Sequence, residues 1–574
     1  MPNQIDRQAE SLFMNLFANT GEVHIRKKHD ARKKKITITA DQIITSSDPG
    51  GILFTKNNQI LRAIIPPKER FYRSLLAEPQ RKLLIDAGLV ETEITAYYTD
   101  TYPLIVKHAQ LPLITYPFEW VSENLKQSAL FFCAFWKKLA ALGFGLKDAH
   151  GYNIVYDYGN NPCFIDFCSI IPLQEAPLVC EEFNRYFLNP LYFLKVGQQS
   201  QMRHLVNLGG YETGKKRGGI DDQEVLPLLP SQLKKKYLYY REKEHFYRKE
   251  ISSHSLVELY EEEINGICVE IKETCWATYY DVSSQYPTNV RFGNLEPDEA
   301  WQPKQKFLYD LLSNHPGQTV LDIGCSAGWF SRLAAKLGKH VLAMDNDESS
   351  LERVYRYARR ENLTIHPIFC DFSKLNSLYP KQGTRNIKKR FKSDIVLALA
   401  VVHHLVFREN MTFGSIARLL HTVTKDTLVV EFIDNNDRSI KDIMMKEKKV
   451  PWYTGDNFKL ELGKYFKKIN IVDSTGNFAR YLLVCTGKIP KPDNVSEIIN
   501  TTAEDNNRLL DSQTKDKMEK SALSPISRQF GFDRGKPIDR YYIENFLNEN
   551  KHFIRGRVLE IGDNSYTKKY GSAV

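Results

Sequence analysis

A turn rich in small residues at the end of an apolar run is the segment of this chain whose residue types point most directly to chemistry. The turn, Gly324-Cys-Ser-Ala-Gly328, follows the run Thr319–Ile323. A strand that ends in such a turn brings backbone N–H groups close to a polar ligand. The pattern Gly-x-Ser-x-Gly also presents a nucleophilic serine in some hydrolases. A dinucleotide-binding turn is a further interpretation, although Ser326 and Trp329 stand where that turn needs glycines.

Acids at the ends of the next two apolar runs favour a third interpretation. Asp345 follows Gly324 by about twenty residues, the spacing of an acid that binds a ribose at the tip of the second strand. Asp371 ends the run 364–370, and its carboxylate can accept a hydrogen bond from an adenine amino group. The turn is therefore predicted to bind S-adenosylmethionine, and Ser326 is predicted to matter for its small size. Ser326→Ala should then largely retain activity, whereas a hydrolase would lose it.

Residues 301–487 resemble the class I S-adenosylmethionine-dependent methyltransferases. The resemblance rests on the glycine turn, on the three acids Asp322, Asp345 and Asp371, and on the segment 397–405, which occur in family order. It implies that Asp322 and Gly324 lie near the methionine moiety, Asp345 on the ribose, and Asp371 with Phe372 around the adenine. The complete set of residues expected to bind the cofactor is Asp322, Gly324, Cys325, Ser326, Gly328, Asp345, Asn346, Asp371, Phe372 and Ala400.

Methyl transfer from a sulfonium needs an aligned acceptor, exclusion of water and, for an oxygen or nitrogen acceptor, removal of a proton. His404, just beyond the fourth apolar run, is the first candidate for the base. His403 and Glu431 are alternatives. The competing hypothesis is that one histidine packs under the loop while the other is solvated, and that Glu431 forms a helix cap or a salt bridge.

The N-terminal third contains a second group of polar residues with catalytic spacing. Asp148 is followed by Asn153, and Asp166 comes at the end of the next apolar run. This order resembles the catalytic loop of protein kinases and aminoglycoside phosphotransferases, and it implies that Asp148 orients a hydroxyl while Asn153 and Asp166 hold Mg-ATP. The resemblance is confined to residues 146–167. Because the sequence lacks a glycine-rich phosphate loop and Arg62 is out of place for the nucleotide-binding lysine, a kinase-like fold without transferase activity is favoured.

The elements that must position these residues alternate short apolar runs with helical stretches, which is typical of a doubly wound α/β sheet of Rossmann type. The predicted parallel strands are 319–323, 340–345, 364–370, 394–402 and 427–431, with an antiparallel pair at 469–472 and 481–485. Further upstream, the pattern predicts a hairpin at 51–66 and a buried helix at 128–146. The predicted domains are an extension (1–45), an α+β kinase-like module (46–175), a mostly helical connecting region (176–300), the methyltransferase domain (301–487), a polar linker (488–520) and an incomplete second methyltransferase-like segment (521–574).

Composition indicates a globular protein of several domains. The chain has 574 residues, 42% of them hydrophobic, and a net charge of +10. Nine cysteines without a Cys-x-x-Cys pair predict reduced thiols in a cytoplasm. No signal or transmembrane pattern is found in the sequence, and no nucleic-acid motif accompanies the basic residues. These residues form runs that predict solvated loops, with an anionic partner as the alternative, at 26–28, 32–35, 215–217, 234–236 and 388–390.

Three further segments carry expectations. The aromatic residues Trp276, Tyr279 and Tyr280 are predicted to be core, with the roof of a substrate pocket as the alternative, and residues 209–219 are predicted to form a loop. Residues 558–562 repeat the strand, acid and glycine order of 320–324 without the later acids. They resemble the start of a second methyltransferase domain, either truncated or docking elsewhere, and no activity is assigned to them.

The sequence as a whole predicts a methyltransferase that acts on a small molecule or a glycan. The order of the two resemblances is similar to that of fused proteins that build or decorate surface glycans, which points to a glycan- or glycolipid-linked hydroxyl. A kinase-like phosphotransferase and a non-catalytic binding protein are the alternatives.

Overall fold

The computed structural model describes most of the chain up to residue 490 and two short stretches beyond it. The described residues are 33–45, 50–111, 113–208, 219–249, 253–269, 271–282, 295–297, 299, 301–375, 390–446, 450–475, 479–490, 538–555 and 565–570. Residues Met1–Lys491 form one compact unit, and Pro492–Val574 form a second. The predicted domains between residues 46 and 487 therefore all lie inside the first unit.

A five-stranded antiparallel sheet forms the N-terminal part of the first unit. Its strands lie in the order β1-β2-β3-β5-β4. Asn57 and Asn58 adopt left-handed backbone angles (φ 50° and 58°), as a two-residue hairpin turn requires. The hairpin predicted for residues 51–66 is confirmed. The strands are β1 (Ile43–Thr45), β2 (Gly51–Lys56), β3 (Gln59–Ile64), β4 (Thr92–Ile94) and β5 (Leu104–His108).

Helix α1 (Ser122–Ala141) packs beside this sheet and corresponds to the buried helix predicted at 128–146. The predicted end was too late, because Gly143 takes a left-handed φ of 80° and the strand Phe144–Leu146 begins after it. This strand pairs with Ile170–Pro172, and β6 (Ile154–Tyr156) pairs with β7 (Pro162–Phe164). The short pair Lys34–Lys35 and Tyr97–Tyr98 and the helices Glu69–Leu75 and Gln80–Ala87 complete this part.

The region that connects to the second sheet is mostly helical. Its longer helices are Gln199–Leu208, Ser231–Lys249 and Ser253–Gly266. Shorter helices are Cys180–Phe183, Asn189–Lys195, Asp222–Val225 and Tyr279–Val282, with a π-helical turn at Asn184–Leu188.

A seven-stranded sheet forms the remainder of the first unit, in the order β10-β9-β8-β11-β12-β14-β13. Five strands are parallel, and β14 runs antiparallel to both of its neighbours. The strands are β8 (Thr319–Ile323), β9 (His340–Asp345), β10 (Ile365–Phe369), β11 (Ser393–Ala398), β12 (Thr424–Ile433), β13 (Phe466–Asp473) and β14 (Arg480–Lys488). The helices are α2 (Pro303–Asn314), α3 (Trp329–Lys336), α4 (Glu348–Arg360) and α5 (Val402–Phe407), followed by Phe413–Val423, Arg438–Lys446 and Gly455–Gly463. The predicted doubly wound sheet is confirmed.

The fourth predicted strand was too long. β11 ends at Ala398, Ala400 takes a left-handed φ of 54°, and α5 begins at Val402. The apolar run continues through this point because α5 is itself buried on one face, and a continuous apolar run does not distinguish a strand from a buried helix. His403 and His404 therefore lie on a helix.

The two faces of the seven-stranded sheet bury alternate residues in two different cores. Val320, Val341 and Ile395 pack against α2, α3 and α4. Leu321, Leu342 and Val396 pack into a core that extends without interruption into the N-terminal part, including Trp120 and other residues of the segment that leads into α1. The N-terminal part thus contributes to the core on one face of the sheet, together with α5 and the helices Phe413–Val423 and Gly455–Gly463.

The second unit is described only in part. Its helix Ile538–Glu549 is followed by a turn at Lys551–Phe553 and a helix at Ser565–Tyr570. Residues 491–520 of the predicted linker, the repeat 558–562, the loop 209–218 and the basic runs 26–28 and 215–217 lie outside the described residues. In the described part of the chain, no helix has both the length and the apolar character needed to cross a membrane.

Candidate functional site

A cavity of about 530 Å³ opens at the carboxyl ends of β8 to β12. Ligands bind at this edge of open α/β sheets because the loops that follow the parallel strands converge there. Predicted site residues on the cavity wall are Gly324, Ser326, Asp345, Asn346, Asp371, Phe372, Ala400, His403, His404 and Glu431. Asp322, Cys325 and Gly328 are not among the residues that line it.

The turn after β8 has a backbone that few residues other than glycine can adopt. Gly324 has a φ of 67°, and a Cβ atom at this position would lie 2.5 Å from Cγ2 of Val401. Its N–H donates to the carbonyl of Met344 (2.8 Å), which fixes the turn against β9. Ser326 also has a left-handed φ of 50°. Strained backbone of this kind concentrates at functional sites.

Asp345 holds the turn and the cavity edge together. Its carboxylate accepts three backbone hydrogen bonds, from Ser326 (2.8 Å), Asn346 (2.8 Å) and Asp347 (3.0 Å). Burial raises the pKa of Asp345 to about 6, against the opposing effect of these hydrogen bonds. A carboxylate has about four acceptor positions, so it can still accept hydrogen bonds from a ligand in the cavity.

Asp371 and Phe372 form the neighbouring part of the wall. Asp371 caps a short 3-10 turn by accepting from the Ser373 backbone (3.0 Å), and it forms an ion pair with Lys374 (2.7 Å). Burial alone would raise the pKa of Asp371, but hydrogen bonds from Lys374 and Ser373 outweigh it and lower the pKa. The acid is therefore charged beside the aromatic ring of Phe372.

The three predicted residues that do not line the cavity support it from behind. Asp322 is buried and accepts a hydrogen bond from Ser331 Oγ (2.6 Å), and burial raises its pKa to about 6. Gly328 takes a φ of 79° as the N-cap of α3, and Cys325 is 3% exposed. Asp322 therefore does not line the cavity, and its predicted place near the methionine moiety stays a prediction.

Aromatic residues of the connecting region form the wall opposite the strands. Trp276, Tyr279 and Tyr280 line the cavity, although core packing was the favoured prediction for them. Ser326 Oγ donates to the carbonyl of Trp276 (2.6 Å), and Thr274 Oγ1 donates to Asp347 Oδ2 (2.7 Å). This wall, residues 271–282, is called the roof below. Ser326 thus forms a hydrogen bond to the roof, whereas the sequence interpretation predicted that only its small size matters.

The two histidines are held at the cavity by ring contacts. The His404 ring lies 5.2 Å from that of Trp276 in an edge-to-face arrangement and 3.9 Å from that of His403. Burial and the charge of Arg408 lower the pKa of His404 to about 4. Burial also lowers the pKa of His403 well below its usual value. Both imidazoles are therefore neutral near pH 7, and each keeps a ring nitrogen that can accept a hydrogen bond.

Glu431 is held in a buried ion pair at the base of the cavity. It is 1% exposed and accepts from Lys304 Nζ (2.8 Å) and from Ser474 Oγ (3.0 Å). Glu431 therefore forms the salt bridge that was the competing hypothesis for it, and its role as a base stays a prediction.

Three cationic residues on the wall were missed by the sequence interpretation: Lys304, Arg408 and Arg480. Arg408 lies over the Trp276 ring at 5.9 Å, and Arg480 pairs with Asp437 (2.9 Å). Pro303 at the start of a helical stretch was a signal for the position of Lys304. Glu431, the ion-pair partner of Lys304, is 127 residues away in the sequence.

The second predicted group of polar residues lies in the N-terminal part. The backbone N–H of Ile165 donates to the carbonyl of Asn153 (2.9 Å), which brings Asn153 and Asp166 to the same end of the β6–β7 hairpin. Asp166 accepts from the Cys168 backbone and lies 3.7 Å from Nη2 of Arg62 on β3. Arg62, thought out of place, does reach this acid. Asp148 donates its backbone N–H to Ser169 Oγ (3.2 Å), and the kinase-like identity of this part stays a prediction.

Comparison with known proteins bears on the seven-stranded sheet. The family described as "Methyltransferase domain" matches residues 320–422. The nodulation protein NoeA of Rhizobium meliloti (strain 1021) is 24% identical over 435 residues, which cover 69% of this chain and 86% of that protein. The ubiquinone biosynthesis O-methyltransferase of Bradyrhizobium diazoefficiens is 32% identical over 90 residues, 16% of this chain and 31% of that protein.

Among solved structures, monomeric WbdD is similar with 20% identity and a TM-score of 0.25. The match covers 34% of this chain and 44% of WbdD, so it spans less than half of that protein. Residues 320–422, which match the family, include the turn after β8, Asp345, Asp371 and both histidines. Most of the residues that line the cavity therefore lie in the segment that is similar to a methyltransferase domain.

Proposed function

We propose that this protein transfers a methyl group from S-adenosylmethionine to an acceptor, and that the acceptor is a glycan- or glycolipid-linked hydroxyl. The observation that carries the proposal is the convergence of the Gly324 turn, Asp345 and Asp371 on one cavity. These residues follow three different strands and have the polarity that the parts of an adenosyl cofactor require.

The groups around the cavity fit this cofactor. A volume of about 530 Å³ falls within the range of small-molecule sites, roughly 300–1,000 Å³. Asp345 supplies acceptors for ribose hydroxyls, and Asp371 and Phe372 supply an acceptor and a ring for an adenine. Gly324 has no side chain, so a ligand can approach the backbone of the turn closely. A side chain at this position would meet Val401.

The residues around the histidines suit transfer to a hydroxyl. S-adenosylmethionine supplies a methyl group on a positively charged sulfur, which is displaced in line by the acceptor atom. His404 is neutral near pH 7 because burial and Arg408 lower its pKa to about 4, so an imidazole nitrogen can accept a hydrogen bond from the acceptor hydroxyl and align it for transfer. The roof residues Trp276 and Tyr279 line this side of the cavity and supply apolar surface next to the acceptor.

The acceptor class rests on a narrower set of observations. Trp276 and Tyr279 offer flat aromatic surface next to polar groups, which suits a ligand with both apolar and hydroxyl faces. Arg408 at the Trp276 ring adds hydrogen-bond donors. A sugar hydroxyl is the acceptor that these surroundings and the domain order favour.

The first test is calorimetric titration of S-adenosylmethionine into the wild-type protein, Asp345→Ala and Asp310→Ala. Asp310 is an exposed acid on α2 and serves as the matched control. Wild type and Asp310→Ala should bind one equivalent with equal affinity, and Asp345→Ala should bind about a hundredfold more weakly. Equal binding by all three proteins, or by none, would show that the cavity is not the cofactor site.

The second test identifies the acceptor. Incubation of the protein and methyl-labelled cofactor with a glycolipid fraction should label a product that alkali does not release, as expected for a methyl ether. His404→Gln should bind the cofactor like the wild type and lose most of the transfer. Label found in protein or nucleic acid instead would refute the glycan acceptor while leaving the methyltransferase intact.

A further inference from the structure

Helix α1 of the N-terminal part has its amino end capped by the methyltransferase domain. Its N-cap residue, Val121, has no side chain that could accept a hydrogen bond. The backbone N–H of Ser122 donates to Glu348 Oε1 (3.0 Å), and that of Glu123 donates to Glu352 Oε1 (3.0 Å). Both glutamates lie on α4, more than 200 residues away in the sequence. The Glu348 carboxylate at this end of a 20-residue helix is stabilised by the helix dipole, whereas burial and the charge of Glu348 raise the pKa of Glu352 to about 8.

Arg203 completes this connection from a third element. Its guanidinium forms a buried ion pair with Glu348, with side-chain exposures of 8% and 10%. The same guanidinium donates to the carbonyls of Phe118 (2.8 Å) and Trp120 (2.8 Å), which lead into α1. One arginine therefore joins the segment before α1 to the first residue of α4.

The position of Glu348 in the chain makes this contact relevant to the cavity. Glu348 begins α4 directly after the turn Asp345-Asn-Asp347, whose backbone N–H groups hold the Asp345 carboxylate. The Arg203 guanidinium also lies 3.7 Å from the Phe369 ring at the end of β10, two residues before Asp371. The segments that carry both cavity acids are thus fixed from outside the methyltransferase domain.

We propose that Arg203, together with Glu348 and Glu352, positions the cofactor site, so that the N-terminal part is a structural component of methyl-donor binding. This inference rests on the proposed function. Arg203 does not line the cavity and is a positioning residue: it acts through Glu348 on the Asp345 turn and through Phe369 on the Asp371 segment. A loosened Glu348 lets this turn move, and the carboxylate of Asp345 then loses its orientation toward the ribose.

The same interface supplies a matched control. Arg390 forms a more deeply buried ion pair with Glu119, with side-chain exposures of 2% and 0%, and donates to the carbonyl of Ile114 (2.9 Å). It lies before β11, at the amino end of that strand and at the opposite edge of the sheet from the cavity. Its replacement removes a buried contact between the same two parts without touching the Asp345 turn.

The experiment compares Arg203→Met, Arg203→Lys and Arg390→Met in the full-length protein, with thermal unfolding to identify temperatures at which all remain folded. Calorimetry at such a temperature should give an S-adenosylmethionine Kd about tenfold higher for Arg203→Met. Arg203→Lys should be intermediate, because lysine keeps the charge but not both carbonyl contacts. Arg390→Met should lie within about twofold of the wild type.

Labelled methyl transfer adds a second readout. The rate of Arg203→Met should recover at saturating cofactor, because only the apparent KM for the cofactor changes. Equal affinity of Arg203→Met and wild type, or equal weakening by Arg390→Met, would overturn the inference. Failure of the wild type to bind at all would instead refute the proposed function, so the two failures are distinguishable.

Discussion

Two groups of acids in this chain have the spacing of cofactor-binding residues, and the structure treats them differently. Asp345 stands on the wall of a cavity of about 530 Å³ and receives its hydrogen bonds from the backbone of its own loops. Within the described residues, no lysine or arginine lies within ion-pair distance of it. Asp166 in the N-terminal part lies 3.7 Å from the guanidinium of Arg62, which is 5% exposed.

The difference shows that the residue types of a motif do not alone determine ligand binding, because the groups around a carboxylate also matter. Backbone N–H groups orient a carboxylate and leave acceptor positions for a ligand, whereas a neighbouring guanidinium takes up part of its charge. The Asp345 carboxylate is therefore oriented and has acceptor positions left for a ligand. The charge of Asp166, in contrast, is partly neutralised by Arg62. Four changes to the protein or to its conditions test this difference between the two acids.

The largest effect is expected from Gly324→Val. A Cβ atom at this position lies 2.5 Å from Val401, and a β-branched residue is strained at a φ of 67°. We expect cofactor affinity to fall about a hundredfold. Gly338→Val is the control, because Gly338 has a φ of 81° but no atom within 4 Å of its Cβ position. If both variants bind like the wild type, the turn does not contact the cofactor.

A change of pH should alter binding through Asp345. Its pKa is raised to about 6 by burial, so the carboxylate that accepts from ribose hydroxyls is lost as the pH falls through 6. The Kd of S-adenosylmethionine should be about tenfold higher at pH 5 than at pH 8. Asp345→Asn should bind weakly and with a flat profile between these pH values. An unchanged slope in this variant would assign the titration to another group.

Ser326→Ala should have a moderate effect. The sequence predicted that this change is nearly silent, but the hydroxyl donates to the carbonyl of Trp276 in the roof. Loss of one such hydrogen bond, about 1 kcal/mol, corresponds to an affinity about fivefold lower. Thr278→Val is the control. It removes a roof hydroxyl that donates a hydrogen bond to the carbonyl of Thr274 in the same segment. Complete loss of transfer in Ser326→Ala would return Ser326 to the role of a nucleophile.

The smallest effect on methyl-donor binding is expected from Asp166→Ala. This acid belongs to the second group, so its removal should leave the affinity for S-adenosylmethionine unchanged within about twofold. Titration of the wild type with Mg-ATP should produce little heat, because Arg62 already neutralises part of the Asp166 charge. Strong Mg-ATP binding that Asp166→Ala abolishes would make the two regions equivalent and would contradict the comparison.

The sheet and most of its strand ends at the cavity could be predicted from the sequence. Apolar runs that end in Asp345 and Asp371 are local patterns, and parallel strands bring their carboxyl ends to one edge whatever the details of packing. The end of β11 was misplaced because Val401 and Val402 continue an apolar run into a helix. Periodicity cannot separate the two over so short a segment.

The contacts between distant residues that complete the site could not be predicted in this way. Lys304 pairs with Glu431, Ser326 with the carbonyl of Trp276, and Arg203 with Glu348. The partners in these pairs are 127, 50 and 145 residues apart, so no spacing rule connects them. The hydrogen bond from Ser331 to Asp322 was also not predicted, because the family resemblance supplied only an expected position near the methionine moiety.

A structure of the protein with bound S-adenosylhomocysteine tests the central claim most directly. The account predicts the ribose hydroxyls within hydrogen-bond distance of Asp345, the adenine between Asp371 and Phe372, and the sulfur facing His404. A ligand bound at Asp148 and Asp166 instead, or a cavity at Asp345 that stays empty at saturating ligand, would contradict it.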